Sequence, residues 1–144
     1  KGLALARHLP MIGIRTLDVL AVAQPVRDLP LVVTLQIGRG RMAAGWYEAR
    51  AGAWRPTGEI NVVTAEALAE AIQHPTLVCG EMTAEERRIL ARKRKNVILA
   101  SPAHCLRRPS FLAELAWQNW QAGRIDDPVT LSPIYLQLKD PIPG

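Results

Sequence analysis

The sequence predicts an α/β fold in which a mixed five-stranded sheet is flanked by helices. Two patterns predict it. From Leu31 to Glu59, three stretches favouring extended backbone are separated by two glycine-containing turns, the pattern of antiparallel strands. From Thr64 to Ala122, helix-capping residues alternate with short, wholly apolar runs, the pattern of helices alternating with buried parallel strands.

Each element follows from local chemistry. Lys1 to Leu9 reads as a helix closed by Pro10. It has no preceding Met and no Ser, Thr, Asp or Asn to cap it, so a further amino-terminal segment is expected ahead of Lys1. Met11 to Ile14 is expected as a short strand, and Thr16 as the cap of a helix from Leu17 to Ala23 that Pro25 ends. Leu31 to Ile37 is β-branched; Gly38-Arg39-Gly40 turns it back into Arg41 to Arg50. Ala51-Gly52 offers a second turn into a third strand, Ala53 to Glu59, interrupted or edged at Pro56.

Beyond this hairpin region the alternation begins. Thr64 caps a helix from Ala65 to Gln73, and Thr76 to Cys79 is a buried strand. Thr83 and Glu86 form a capping box for a helix reaching about Lys95, and Asn96 to Ala100 is the next buried strand. Ser110 caps a helix through Ala122, and Gly123 stops it. Three antiparallel strands followed by helix, strand, helix, strand, helix is the element order of an RNase H-like lobe, the unit of the actin, Hsp70 and hexokinase superfamily; the order fixes no activity.

Composition limits the function classes. The 144 residues, 49% hydrophobic and 22% charged, suffice for one domain with a real core. The net charge of +5 suits contact with nucleic acid or an acidic partner. Cys79 and Cys105 follow no zinc or disulfide pattern and read as reduced thiols of a cytoplasmic protein. No apolar run approaches the roughly 20 residues that cross a bilayer, so no membrane partner is expected.

The chemistry-bearing residues do not converge on a catalytic set. Magnesium-dependent phosphate chemistry in an RNase H-like lobe needs acids at the first strand, and this strand offers Gln36. Gly38-Arg39-Gly40 reads as a turn, Glu66 and Glu70 lie one helical turn apart, and Glu81, Glu85 and Glu86 favour a helix start. Asp126-Asp127 before Pro128 is loop chemistry. His8, His74 and His104 show no metal-binding spacing, and neighbours such as His104 and Cys105 rarely align as base and nucleophile. No metal and no cofactor is therefore expected. Trp117 and Trp120 are read as core or interface packing before a base-stacking platform.

A family resemblance rests on the two ends. Gly123-Arg124-Ile125-Asp126-Asp127-Pro128-Val129-Thr130-Leu131-Ser132-Pro133-Ile134-Tyr135-Leu136 resembles the closing segment of the TsaB (YeaZ) family, in which a helix ending in Gly leads to a Pro-x-Tyr-Leu strand. Lys1-Gly2-Leu3-Ala4 and Ile12-Gly13-Ile14-Arg15-Thr16-Leu17-Asp18-Val19-Leu20-Ala21 resemble that family's Lys-Gly-Leu-Ala helix and the strand leading into Thr/Ser-Leu-x-x-Leu-Ala. The resemblance implies that residues 1–24 are the remnant of an amino-terminal lobe with its connection. Residues 25–144 would then be the second lobe and its tail. The family's Ser-Phe-Thr-Gly loop would lie ahead of Lys1. One departure is the family's Asp-Ala-Arg-like turn, replaced here by Gln36-Ile37-Gly38-Arg39-Gly40-Arg41.

The resemblance further implies a non-catalytic scaffold of bacterial tRNA threonylcarbamoyladenosine modification. Such a scaffold binds a TsaD-like catalytic paralogue, is joined by a TsaE-like ATPase, reaches tRNA through the complex, and could form a homodimer. On this reading the partner surface is sought at Lys1, Leu5 and His8 on the opening helix. The alternative is a truncated enzyme of the same superfamily, a kinase or a glycoprotease-like peptidase, with its reactive residues in the missing lobe. The run from Arg87 to Lys95 has apolar Ile89 and Leu90 on one face and reads first as a solvated helix, then as a contact for RNA or an acidic partner through Arg92, Lys93 and Arg94. Charge reversal at those three residues is expected to weaken tRNA association; unchanged, salt-insensitive binding would overturn that contact.

Overall fold

The computed structural model describes residues 1–93 and 95–136. It opens on α1 (Gly2–Ala6) and α2 (Thr16–Val22), followed by strands β1 (Leu31–Gly38), β2 (Arg41–Arg50), β3 (Ala53–Pro56) and β4 (Asn61–Val63). Then come α3 (Ala65–Ala71), β5 (Thr76–Gly80), α4 (Ala84–Ala91), β6 (Val97–Leu99), a 3-10 turn (Pro102–His104) and α5 (Pro109–Gln121). The main sheet runs β3-β2-β1-β5-β6, with β4 also on β2. Pairing is antiparallel among β1 to β4 and parallel from β1 through β5 to β6, so the mixed sheet flanked by helices is as the sequence predicts.

The departures have physical causes. Met11 to Ile14 forms no strand: Met11 makes one isolated bridge to Asp126, and Gly13 N donates to the Asp126 carboxylate at 2.7 Å. Thr16 is the first helical residue of α2 rather than its cap; the cap is Arg15, whose guanidinium reaches Asp18 at 2.9 and 3.1 Å. The strand expected over Ala53 to Glu59 divides. Proline has no N–H for a ladder, and β3 ends at Pro56. The chain then returns as β4 beside Met42 to Ala44, while β3 pairs with Tyr47 to Arg50, so the ten residues of β2 carry both short partners on one edge. The result is a sixth strand. Helix α4 stops at Ala91, short of Lys95, and α5 starts at Pro109 with Arg108 as its cap, which places Ser110 inside the helix.

The predicted hairpin and caps form. Gly38, Arg39 and Gly40 all take positive φ (86, 55 and 67°), which is the backbone reversal that glycine makes cheap. Thr64 caps α3 by accepting from Ala67 N at 3.3 Å.

A sheet with parallel strands must be covered on both faces, and successive residues of β1 supply both. Leu31 and Val33 join Leu17, Leu20 and Ala21 of α2 with Leu77 and Cys79 in one core. Val32 points the other way, against Leu68 and Ile72 of the α3 region and Leu90 of α4. Fully burying one such aliphatic side chain stabilises by about 1.5–3 kcal/mol. Thr34 is also fully buried, and its hydroxyl donates towards the carbonyls of Cys79 (3.1 Å) and Glu81 (3.3 Å).

At this point β1 and β5 touch backbone to backbone. Gly80 has φ +112°, and a Cβ there would lie 2.0 Å from the Thr34 carbonyl oxygen. The substitution Gly80→Ala is expected to destabilise the fold by more than about 3 kcal/mol, because a strained backbone and a clash coincide. Urea unfolding measures it, and a loss below about 1 kcal/mol would contradict this account of the β1–β5 seam.

Candidate functional site

Open sheets with parallel strands gather ligands outside the carboxyl ends of those strands. Here the ends of β1 and β5 bring Gln36 and Gly80-Glu81 beside the start of α4, forming a cleft of about 300 Å³. Thr83, Arg87 and Cys105 complete its polar wall.

Glu86 organises this cleft. It is 6% exposed, and one carboxylate oxygen accepts from Thr83 N at 2.7 Å, from the Thr83 hydroxyl at 3.0 Å and from the Gln36 side-chain amide. Thr83 Oγ1 in turn accepts from Glu86 N at 3.2 Å, closing the capping box expected from sequence. Gln36 therefore binds Glu86, the helical member of the α4 capping box, and that link between β1 and α4 was not visible in the sequence. Glu81 is held by Arg107 Nε at 2.7 Å, and Arg87 donates to the Ala100 carbonyl at 3.1 Å. Each of these charged groups is committed to the protein itself.

The nucleophile candidates are equally constrained. Cys105 is buried and donates towards the Ser101 carbonyl at 3.4 Å, while His104 is exposed and contributes its backbone carbonyl to Gln24 at 2.6 Å. Burial, with a smaller effect of Cys105, pushes the Cys79 thiol far up, so it stays protonated. Among the described residues, no group of three or more His, Cys, Asp or Glu could hold a metal ion.

A second polar network joins α2 to β2. The Tyr47 hydroxyl donates to Asp18 at 2.7 Å, and Arg15 holds the same carboxylate. Burial first, then the bond to Asp18, push the Tyr47 phenol far above its ordinary range, so it remains a neutral donor.

The residues expected at the partner surface lie together but apart from the cleft. Lys1 Nζ donates to the Val129 carbonyl at 3.2 Å, Leu5 is exposed on α1, and exposed His8 follows with φ 52°. The carboxyl-terminal segment packs here: Asp127 accepts from Val129 N at 2.9 Å, and this bond, with help from Thr130, holds its carboxyl below the usual range. Arg92 and Lys93 are exposed after α4, and Arg94 lies outside the described residues. Trp117 and Trp120 are 53% and 46% exposed in an edge-to-face pair with centroids 4.9 Å apart, so they are no part of the core.

No protein-family model matches the chain, and no curated protein matches it. Solved structures do. In fold the chain is similar to YeaZ. A protein from Pseudomonas aeruginosa described as uncharacterized, with similarity to peptidase YeaZ, superposes with a TM-score of 0.72 at 21% identity over 94% of this chain. YeaZ from Pseudomonas aeruginosa gives 0.70 at 20% identity over the same share. The chain spans 63% of the length of each of these structures. The YeaZ-like fold thus accounts for the sheet and its helices, and among the described residues no helix is long and apolar enough to cross a membrane.

Removing the Glu86 carboxylate deletes the capping box and orphans Gln36. Glu86→Ala is expected to cost about 1–3 kcal/mol in urea unfolding, and a loss below about 0.5 kcal/mol would show that neither bond matters.

Proposed function

We propose that this chain is part of a TsaB-like subunit, a non-catalytic scaffold in bacterial tRNA threonylcarbamoyladenosine modification, with residues 1–24 the remnant of its first lobe and residues 25–144 its second lobe. It binds and supports a TsaD-like catalytic paralogue in the cytoplasm, with a TsaE-like ATPase joining the assembly and tRNA reached through the complex. The observation that carries this reading is the likeness of 94% of the chain to the YeaZ fold. The two terminal motifs from Lys1 and from Gly123 support it independently. So does the cleft, whose Gln36, Glu81 and Arg87 bond to Glu86, Arg107 and the Ala100 carbonyl rather than converging on a substrate.

A scaffold acts by presenting surface. On this reading the exposed residues of the opening segment, Lys1, Leu5 and His8, meet the partner, and an apolar side chain such as Leu5 contributes by leaving water on association.

The test combines the chain with a purified TsaD-like protein in sedimentation velocity, with ATP hydrolysis and peptide cleavage assayed in parallel. A stable heteromeric complex is expected, weakened at least tenfold by Leu5→Asp, with neither activity present even when an amino-terminal lobe is joined to the chain. Failure to associate would overturn the scaffold reading. Metal-dependent ATP hydrolysis or peptide cleavage once that lobe is joined would favour an enzyme of the same superfamily.

A further inference from the structure

The second cavity lies where the starts of α2 and α5 meet, and it measures about 440 Å³, within the range of small-molecule pockets. Its walls divide by chemistry. Ile14, Val19 and Leu112 give an apolar side, and Thr16, Arg107 and Arg108 give a polar one. A mostly apolar hollow with a few hydrogen-bonding groups is the form of a site that holds an amphiphilic molecule and fixes its orientation.

Two arginines line the hollow, and they differ in charge balance. Arg107 pairs through its Nε with Glu81, which leaves its terminal nitrogens as donors but not its charge uncompensated, and Arg108 gives one terminal nitrogen to the neutral Ala103 carbonyl at 3.1 Å. The carboxylate on α2, Asp18, is occupied by Arg15 and Tyr47, so the uncompensated positive charge of the hollow is that of Arg108. Two planar forks and one hydroxyl make three donor groups. They match the three terminal oxygens of a phosphate monoester better than the two of a carboxylate, and arginine binds phosphate through paired hydrogen bonds.

We propose that this cavity binds a small phosphate ester with an apolar or aromatic body. Arg107, Arg108 and Thr16 hold the phosphate, and the body lies against Ile14, Val19 and Leu112. The site goes beyond the scaffold reading and does not depend on it.

The test is an NMR titration of the ¹⁵N-labelled chain with phenyl phosphate and, separately, with inorganic phosphate at low salt. Phenyl phosphate is expected to give saturable shifts at the amides of Thr16, Val19 and Leu112, with inorganic phosphate at least about tenfold weaker. Arg108→Ala should weaken phenyl phosphate about tenfold or more, Arg108→Lys less, and Arg55→Ala, at an exposed residue of β3, not at all. Leu112→Ala, at a side chain already 43% exposed, should weaken phenyl phosphate binding through the apolar wall without adding a charge beside the cations. No saturable shift, unchanged binding in Arg108→Ala, or equal affinity for the two probes would each overturn the proposal.

Discussion

The backbone contact between Thr34 on β1 and Gly80 on β5 is the constraint on which the rest of the molecule depends. It joins the antiparallel half of the sheet to the parallel half, because β1 pairs with β2 on one side and β5 on the other. Thr34 belongs in a strand by its β-branched shape, and its buried hydroxyl finds acceptors on the neighbouring strand rather than in water. Those bonds hold the last residues of β5 where only glycine fits. Once the seam is fixed, the apolar residues of β1 face two ways, and a helical layer is required on each side: α2 on one, α3 and α4 on the other.

The same seam sets the character of the cleft. Gln36 lies two residues beyond Thr34 and so points to the same side of the strand, at the mouth beside α4. An acid here, next to Glu81 and buried Glu86, would gather carboxylates able to attract a divalent cation. With an amide, the pair Gln36–Glu86 becomes one hydrogen bond between a neutral donor and a charged acceptor. The cleft therefore keeps the shape that the fold gives it while its acids serve as cap and ion-pair partners. That division is why the functional reading rests on surface and fold likeness rather than on a reacting group.

What was legible in the sequence was local. The Gly38-Arg39-Gly40 reversal, the Thr64 cap and the Thr83–Glu86 capping box each involve residues within a few positions, and all three form. What was hidden depends on distant partners. Asn61 to Val63 is too short to announce a strand, and it exists because β2 has ladder groups left over beyond β3. Tyr47–Asp18 and Gln36–Glu86 join residues far apart in sequence. The start of α2 was placed one residue late because the cap position falls on Arg15, which offers the first N–H groups no side-chain acceptor and instead donates to Asp18. Of the residues expected to face a partner, Lys1, Leu5 and His8 were placed by family likeness, since nothing in their own spacing distinguishes them.

The two exposed tryptophans show how the face of a helix decides burial when composition does not. At about 1.5 Å per residue, the seven residues of α2 span about 10 Å and the thirteen of α5 about 20 Å. The two helices meet near their starts, where Pro109 and Leu112 share a cavity with Thr16 and Val19. The half-buried residues of α5, Phe111, Leu115, Ala116 and Asn119, follow helical spacing, so one face is covered along the helix. Trp117 and Trp120 lie off that face, and their rings shield each other edge to face instead of entering a core. No residue of α5 is buried, although its composition is that of a core helix. The sequence supplies the apolar side chains; the face on which each falls determines which of them are covered.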